Sequence, residues 1–345
     1  MRPLAFAPLA LAALSFVAGC GLGGRDDLPT PPGCGHEVAE DPRCPSGTGL
    51  EAIGPDLPAE SYARAVVVDG ADVYFTTMSD VDVHGSVWRI PGDGGAAVEI
   101  AANQPLPTRL AVDEAFVYWA LHNALHRAPK TGGEPQALPH PGTINGIASD
   151  GASAYASIQA DALYRIDEEG ELVELSDFHA PISIVADKST IYGTNQGGGG
   201  STNVIRAFDL DRGDWRTLAD VFDASHVTAE GALGLAIDNE NVYWMSSKYN
   251  SLFRVSKRAT GADPRRRPNG IAVVSDIDDG QGVIAGGGYI YWAEKGRIRR
   301  SRCDGSARIT LAELPGAGMG ELALDDTYVY FTTYVRGGRV MRVCR

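Results

Sequence analysis

Short runs in which apolar and polar residues alternate, each broken by Gly, Asp or Pro, fill most of this chain. Period-two alternation bounded by turn residues is the pattern of β-strands. No long stretch carries a 3.6-residue apolar period, which excludes a helical solenoid. The phrase "LAVDEAFVYWA" from Leu110 returns as "LAIDNENVYWM" from Leu235 and "LALDDTYVYFT" from Leu322. A catalytic motif normally occurs once, so a returning phrase reads as architecture.

Aligning the phrase gives anchors at Val73, Val117, Ala154, Ile191, Val242, Ile290 and Val329. An Asp stands at a constant offset before six of them: Asp69, Asp113, Asp150, Asp187, Asp238 and Asp325. The remaining copy has Gly286 there. Downstream, each copy has a second phrase ending in Arg: Arg89, Arg127, Arg165, Arg206, Arg254, Arg300 and Arg342. A spacing of roughly 40 residues is that of propeller blades. The second copy reads as four strands, "RLAVD", "VYWAL", "LHRAP" and "PQAL". The expected fold is therefore all-β, a seven-bladed β-propeller of four-stranded blades. The seventh copy stops at Arg345, after its third strand. Gly49 to Ile53 is expected to supply the missing strand beside Val340, leaving no open edge. The repeated aromatics are expected to pack between sheets, the Asp to sit in the turn, and the Arg to pair with that Asp or with a neighbouring blade.

Before the repeats, "MRPLAFAPLALAALSFVAGC" has a basic start, an apolar run and small residues leading to Cys20, the pattern of a secretory signal. The run is shorter than a spanning helix needs. "VAGC" resembles the bacterial lipobox, which implies cleavage before Cys20 and acylation of that residue. Several acyl chains anchor firmly where one is marginal. The organisation read from this is a signal peptide over 1–19, a Gly/Pro-rich tether over 20–47 and the propeller over 48–345. Gly21 after the Cys hints, by the same resemblance, at the outer membrane of a bacterial envelope.

The Tyr-Trp phrases preceded by "AVD" resemble the YWTD repeats of low-density-lipoprotein-receptor-type propellers over roughly residues 48 to 345. The Asp of the YWTD phrase is absent here, and seven copies stand where the receptor domains have six, so the receptors' partners do not carry over. Related propellers also include metal-dependent lactonases and lyases, which implies a cation held by Glu, Asn and Asp at the channel mouth. Asn145 and Glu321 fit that implication, whereas Arg64 and Arg109 repel a cation.

Beyond Cys20, the cysteines are Cys34, Cys44, Cys303 and Cys344. An even number in an exported chain points to two disulfides. Cys44–Cys344 with Cys34–Cys303 is favoured, since the first bond staples the closing strand. Cys34–Cys44 with Cys303–Cys344 stays open. No CxxC or CxH spacing suggests zinc.

The net charge of -14 argues against nucleic acid and favours solubility. Function is sought where the repeat breaks. Loops between second and third strands share one face with the loops between blades. Insertions there begin at Met78, Gly193 and Val221. At the channel mouth, Arg64, Arg109, Asn145, Ser183, Gln281 and Glu321 vary from copy to copy. Asp80 and Asp82, and Asp276 and Asp278, form weak calcium-like fragments without the Glu that completes such a loop. His122 and His126 are set aside as a metal pair, because a hairpin turn at Asn123–Ala124 opposes Leu121 to His126. The basic stretch Lys257 to Pro268 reads as a solvated loop. The favoured reading is a lipid-anchored, monomeric binding or scaffold module for a protein, peptide or glycan. A non-catalytic role with no cofactor is preferred, and a metal-dependent, lactonase-like hydrolase or lyase is the alternative.

Overall fold

Side chains on a strand alternate between its two faces, and the Tyr-Trp phrase puts one aromatic on each. In the computed structural model, Tyr118 packs towards the third blade and Trp119, one residue on, towards the first. Tyr243 and Trp244 divide in the same way, as do Tyr330 and Phe331. Every blade thus presents a Tyr forward to its successor, and most present a Trp or Phe backward. The core is accordingly seven apolar clusters, each lying between two adjacent blades. Trp119 and Trp292 are fully enclosed, and a buried large side chain contributes about 1.5–3 kcal/mol over an exposed one. The fourth blade has Gly193 in the Trp position. Pro181 fills the gap, since a Cβ on Gly193 would lie 2.6 Å from the proline ring.

The structure describes Cys44 and residues 49–79, 81, 84–121, 123–158, 162–176, 181–195, 203–221, 234–246, 249–260 and 270–345. The strands form seven antiparallel sheets of four strands each. The innermost strands are Ser61–Asp69, Arg109–Val112, Ile144–Ser149, Ser183–Asp187, Leu235–Ile237, Gly280–Gly286 and Met319–Leu324. The chain is a seven-bladed β-propeller, as the repeat predicts.

Closure also follows expectation. The strand Glu51–Ile53 pairs with Val340–Cys344, with Ile53 opposite Val340 and Glu51 opposite Arg342. Arg342 and Glu51 form an ion pair across the seam. Cys44 is bonded to Cys344, their Cα atoms 5.8 Å apart. Gly49 is held at φ +55° with its α-carbon against Cys344, where a Cβ would meet the sulfur at 2.6 Å. Cys303 is also disulfide-bonded. Its partner, like the proposed signal, Cys20, Cys34 and most of the tether, lies outside the described residues.

The repeated Asp has a partner the sequence reading missed. Asp113 Oδ1 accepts the N–H groups of Ala115 and Phe116 at 2.9 and 2.7 Å, forming the turn. Its Oδ2 accepts the hydroxyl of Tyr118 at 2.7 Å. Asp150, Asp238 and Asp325 hold Tyr155, Tyr243 and Tyr330 likewise. The Tyr of the phrase is therefore both a packing group and a latch. Burial, and then the neighbouring carboxylate, push these phenols up, Tyr155 to about 12. Where Gly286 replaces the Asp, Arg345 takes over. Its Nε donates to the Tyr291 hydroxyl at 3.1 Å and its other nitrogens to the carbonyls of Gly286 and Asp325.

Where its partners are seen, the repeated Arg reaches groups other than the repeated Asp. Arg127 donates to the carbonyl oxygens of Asp167 and Glu168 in the next blade, and Arg254 to that of Cys303. Arg89 binds Asp72, which is not the repeat position. The hairpin register at His126 also needs correcting. Leu121 lies opposite Ala124 and Trp119 opposite His126, so Leu121 does not oppose His126. His126 stacks on Trp119, with ring centroids 5.8 Å apart. The hairpin pairing is thus shifted from the expected one, with Ala124 rather than His126 standing opposite Leu121.

Candidate active site at the channel mouth

Each innermost strand begins on the face that carries the links between blades, so its first residues ring the mouth of the central channel. These are the positions the repeat leaves unspecified. Arg64, Gln281 and Glu321 line a cavity of about 270 Å³, together with Tyr334, Lys295 and Asp279. Arg109, Asn145, Ser183 and Glu321 line a smaller one of about 50 Å³. Glu321 belongs to both and stands between them.

Burial pushes the Glu321 carboxyl up to about 7, against the opposing pull of Arg64, Arg109 and the Val66 backbone N–H. Arg109, only 6 % exposed, is itself lowered by burial, with Glu321 acting to raise it. Arg64 donates from Nη1 to the Tyr334 hydroxyl, and its guanidinium carbon lies 4.8 Å from that ring's centroid. The Thr332 hydroxyl holds the Arg64 carbonyl at 2.9 Å. Behind Tyr334 stands Tyr62, with ring centroids 4.5 Å apart. Lys295 binds Asp278 at 2.7 Å.

Backbone strain gathers here as well. Lys295 and Asp279, both on the cavity wall, have φ of +38° and +52°, and Asp276 has +63°. Non-glycine residues adopt the left-handed region at a cost and concentrate at functional sites.

Tyr334, Lys295 and Asp279 were not anticipated from sequence. Tyr334 follows "VYFTT" in the turn after the second strand, and Lys295 sits in the equivalent turn of the sixth blade. The signal was present in the rule that these turns share the mouth face. The long insertions on that face lie largely outside the described residues.

The calcium-like fragments gain no support. Asp80 and Asp82 lie outside the described residues, and Asp278 is committed to Lys295. Among the described residues no three His, Cys, Asp or Glu side chains gather as metal ligands. Nor does the mouth suit a divalent cation. Glu321 faces two guanidiniums and holds its proton to about pH 7, and neighbouring positive charge repels a metal. The basic stretch begins with Lys257 bound to Asp187 at 2.6 Å, and residues 261–269 lie outside the described set.

A larger cavity, about 550 Å³, opens on the opposite, turn-side face beside Asp187, Asp238, Lys257 and Gly286. Two of its carboxylates are engaged, Asp187 by Lys257 and Tyr192 and Asp238 by Tyr243. The 270 Å³ mouth cavity is the better candidate because its groups differ from blade to blade and burial raises its Glu321 carboxyl to about 7.

These features define a propeller whose channel mouth gathers a carboxyl raised by burial and two guanidiniums. No protein-family model and no curated protein matches the chain. Among solved structures, it is similar to virginiamycin B lyase from Staphylococcus aureus. A catalytically inactive variant with quinupristin superposes at TM-score 0.62, with 15% identity over 86% of this chain and 99% of the other. The selenomethionine-substituted form gives 0.61 with 14% identity over the same shares. Hydrazine synthase of Kuenenia stuttgartiensis gives 0.55, with 15% identity over 85% and 97%. At these identities the likeness is one of fold.

The comparison corrects the preference for a non-catalytic module. The same ring, matched over nearly the whole length of its counterpart, serves a lyase. The preference rested on Arg64 and Arg109 repelling a metal. That repulsion is real, but a carboxyl titrating near neutrality needs no metal to move a proton.

Proposed function

We propose that this chain is an enzyme of the lyase or hydrolase class, working by proton transfer at the channel mouth. The observation that carries the reading is Glu321, raised to about 7 on the wall of a cavity it shares with Arg64. A general base works best when its pKa lies near the operating pH. As base, Glu321 removes a proton from the bound substrate. Arg64 and Arg109 then face the negative charge that develops, and charges already aimed at it stabilise it without the reorganisation water would need. The strained backbone at Asp279 and Lys295 supports the same site. By the signal phrase ending at Cys20, the enzyme works from a lipid anchor in a bacterial envelope.

The test is turnover by the full chain of a panel of lactones, esters and β-oxygenated acids, quinupristin included. We expect activity that rises with pH through about 7 and falls roughly 10³-fold in Glu321→Gln, within the usual range for a lost general base. Equal activity of parent and variant on every compound turned over would sink the reading.

A further inference from the structure

Arg64 joins two proton-handling groups of one cavity. Its guanidinium acts electrostatically on Glu321 and donates to the hydroxyl of Tyr334. Both residues line the cavity of about 270 Å³, which has room for about one small ring. Tyr334 is 37 % exposed and reaches the cavity wall. Tyr62 packs against its ring and Thr332 fixes the Arg64 backbone, so the pair is held in place. On a chain of net charge -14, two guanidiniums around one carboxyl of the inner wall are a local reversal of sign. A neutral ester or lactone needs a donor for one carbonyl oxygen. A carboxylate needs more, because removing the proton beside it adds a second negative charge. Arg offers five donors in a planar fork and so serves a substrate carboxylate and a phenol together.

We infer that the mouth takes a carboxylate substrate with an oxygen leaving group on the β-carbon, and that Arg64 holds the carboxylate while Glu321 and Tyr334 act as base and acid. The inference rests on the acid–base role of Glu321. The Glu321 carboxylate removes the α-proton, and that C–H electron pair becomes the new carbon–carbon double bond. The β-carbon–oxygen bond breaks with its pair going to oxygen, which takes the Tyr334 hydroxyl proton. The products are an unsaturated acid and an alcohol, with no water or redox partner consumed. The proton gained by Glu321 then returns to the Tyr334 phenolate through solvent, restoring both groups.

The experiment gives the full chain a galacturonate trimer, whose glycosidic oxygen lies β to a carboxylate, and the trimer's neutral methyl ester. The new conjugated double bond is followed by ultraviolet absorbance. The expected result is a kcat/KM at least tenfold higher for the acid, with Arg64→Met erasing the preference by raising KM. Tyr334→Phe is expected to lower kcat about 10²-fold on the trimer at unchanged KM. It should spare a β-(para-nitrophenoxy) acid, whose leaving group needs no proton. Preference for the ester, or equal damage by Tyr334→Phe with both leaving groups, overturns the inference. Glu321-dependent turnover of a lactone alone also overturns it, while leaving the acid–base reading standing. Carboxylate turnover that ignores Glu321→Gln overturns both.

Discussion

Asp238 on the turn-side face and Glu321 at the mouth are both partly enclosed carboxylates, yet they are held in opposite ways. Asp238 accepts two backbone N–H groups and the Tyr243 hydroxyl, at 2.8, 2.7 and 2.6 Å. Its charge is met by short hydrogen bonds, and the arrangement recurs around the ring. Glu321 is met chiefly by loss of water, and burial outweighs its two arginines. One carboxylate has been spent on architecture. The other is kept in tension, which lowers stability and gives a group able to change its proton state.

The comparison can be broken in several places. Most severe should be removal of the turn-side staple by Cys44→Ser with Cys344→Ser. A bond closing a loop this long contributes about 4–5 kcal/mol in the chain-entropy account. Chemical denaturation should show that loss, while kcat below the transition stays unchanged. Next comes Glu321→Gln, with the opposite sign. A carboxyl raised from 4.5 to about 7 keeps its proton in the fold after the unfolded chain has lost it. Stability therefore falls as pH rises through this window, by about 3 kcal/mol once both forms are ionised. The variant should melt higher than the parent at pH 8, and the gap should close towards pH 4. A parent that melts higher at pH 8 would show that Glu321 is not strained. Asp238→Ala should cost about 2 kcal/mol, because the buried Tyr243 hydroxyl and two N–H groups lose their acceptor. Turnover by the folded variant should not move. Smallest is Gly286→Asp, which restores the repeat where Arg345 already stands in. The new Cβ approaches Leu324 at 3.0 Å, so a change within about 1 kcal/mol is expected in the melt.

The ring was legible because it is repetitive. Seven anchors, each followed by its Arg phrase, fix blade number, and the three-stranded last copy points to its closing strand. The Asp–Tyr latch was within reach, since the two residues keep the same offset in most blades, but the Tyr was read only as packing. His126 was misplaced because two hairpin registers fit the same letters. The mouth was half legible. Arg64, Arg109 and Glu321 could be named as positions where the repeat varies, but the proton-holding state of Glu321 depends on how much water three blades exclude together. Tyr334 joins the site through a turn whose sequence has no mark of its own.

The seam has a consequence for how the molecule comes into being. The closing strand near Glu51 is translated among the first residues of the domain, and its partner at Val340–Cys344 among the last. The disulfide that fixes them joins positions 300 residues apart. During synthesis the earliest strand must wait for almost the whole chain, while the growing stack of blades keeps both outer flanks unpaired. Unpaired edges attract other chains and mark incomplete products. A ring short of its seventh blade cannot hide those edges, so it is sealed only once Val340–Cys344 has been made.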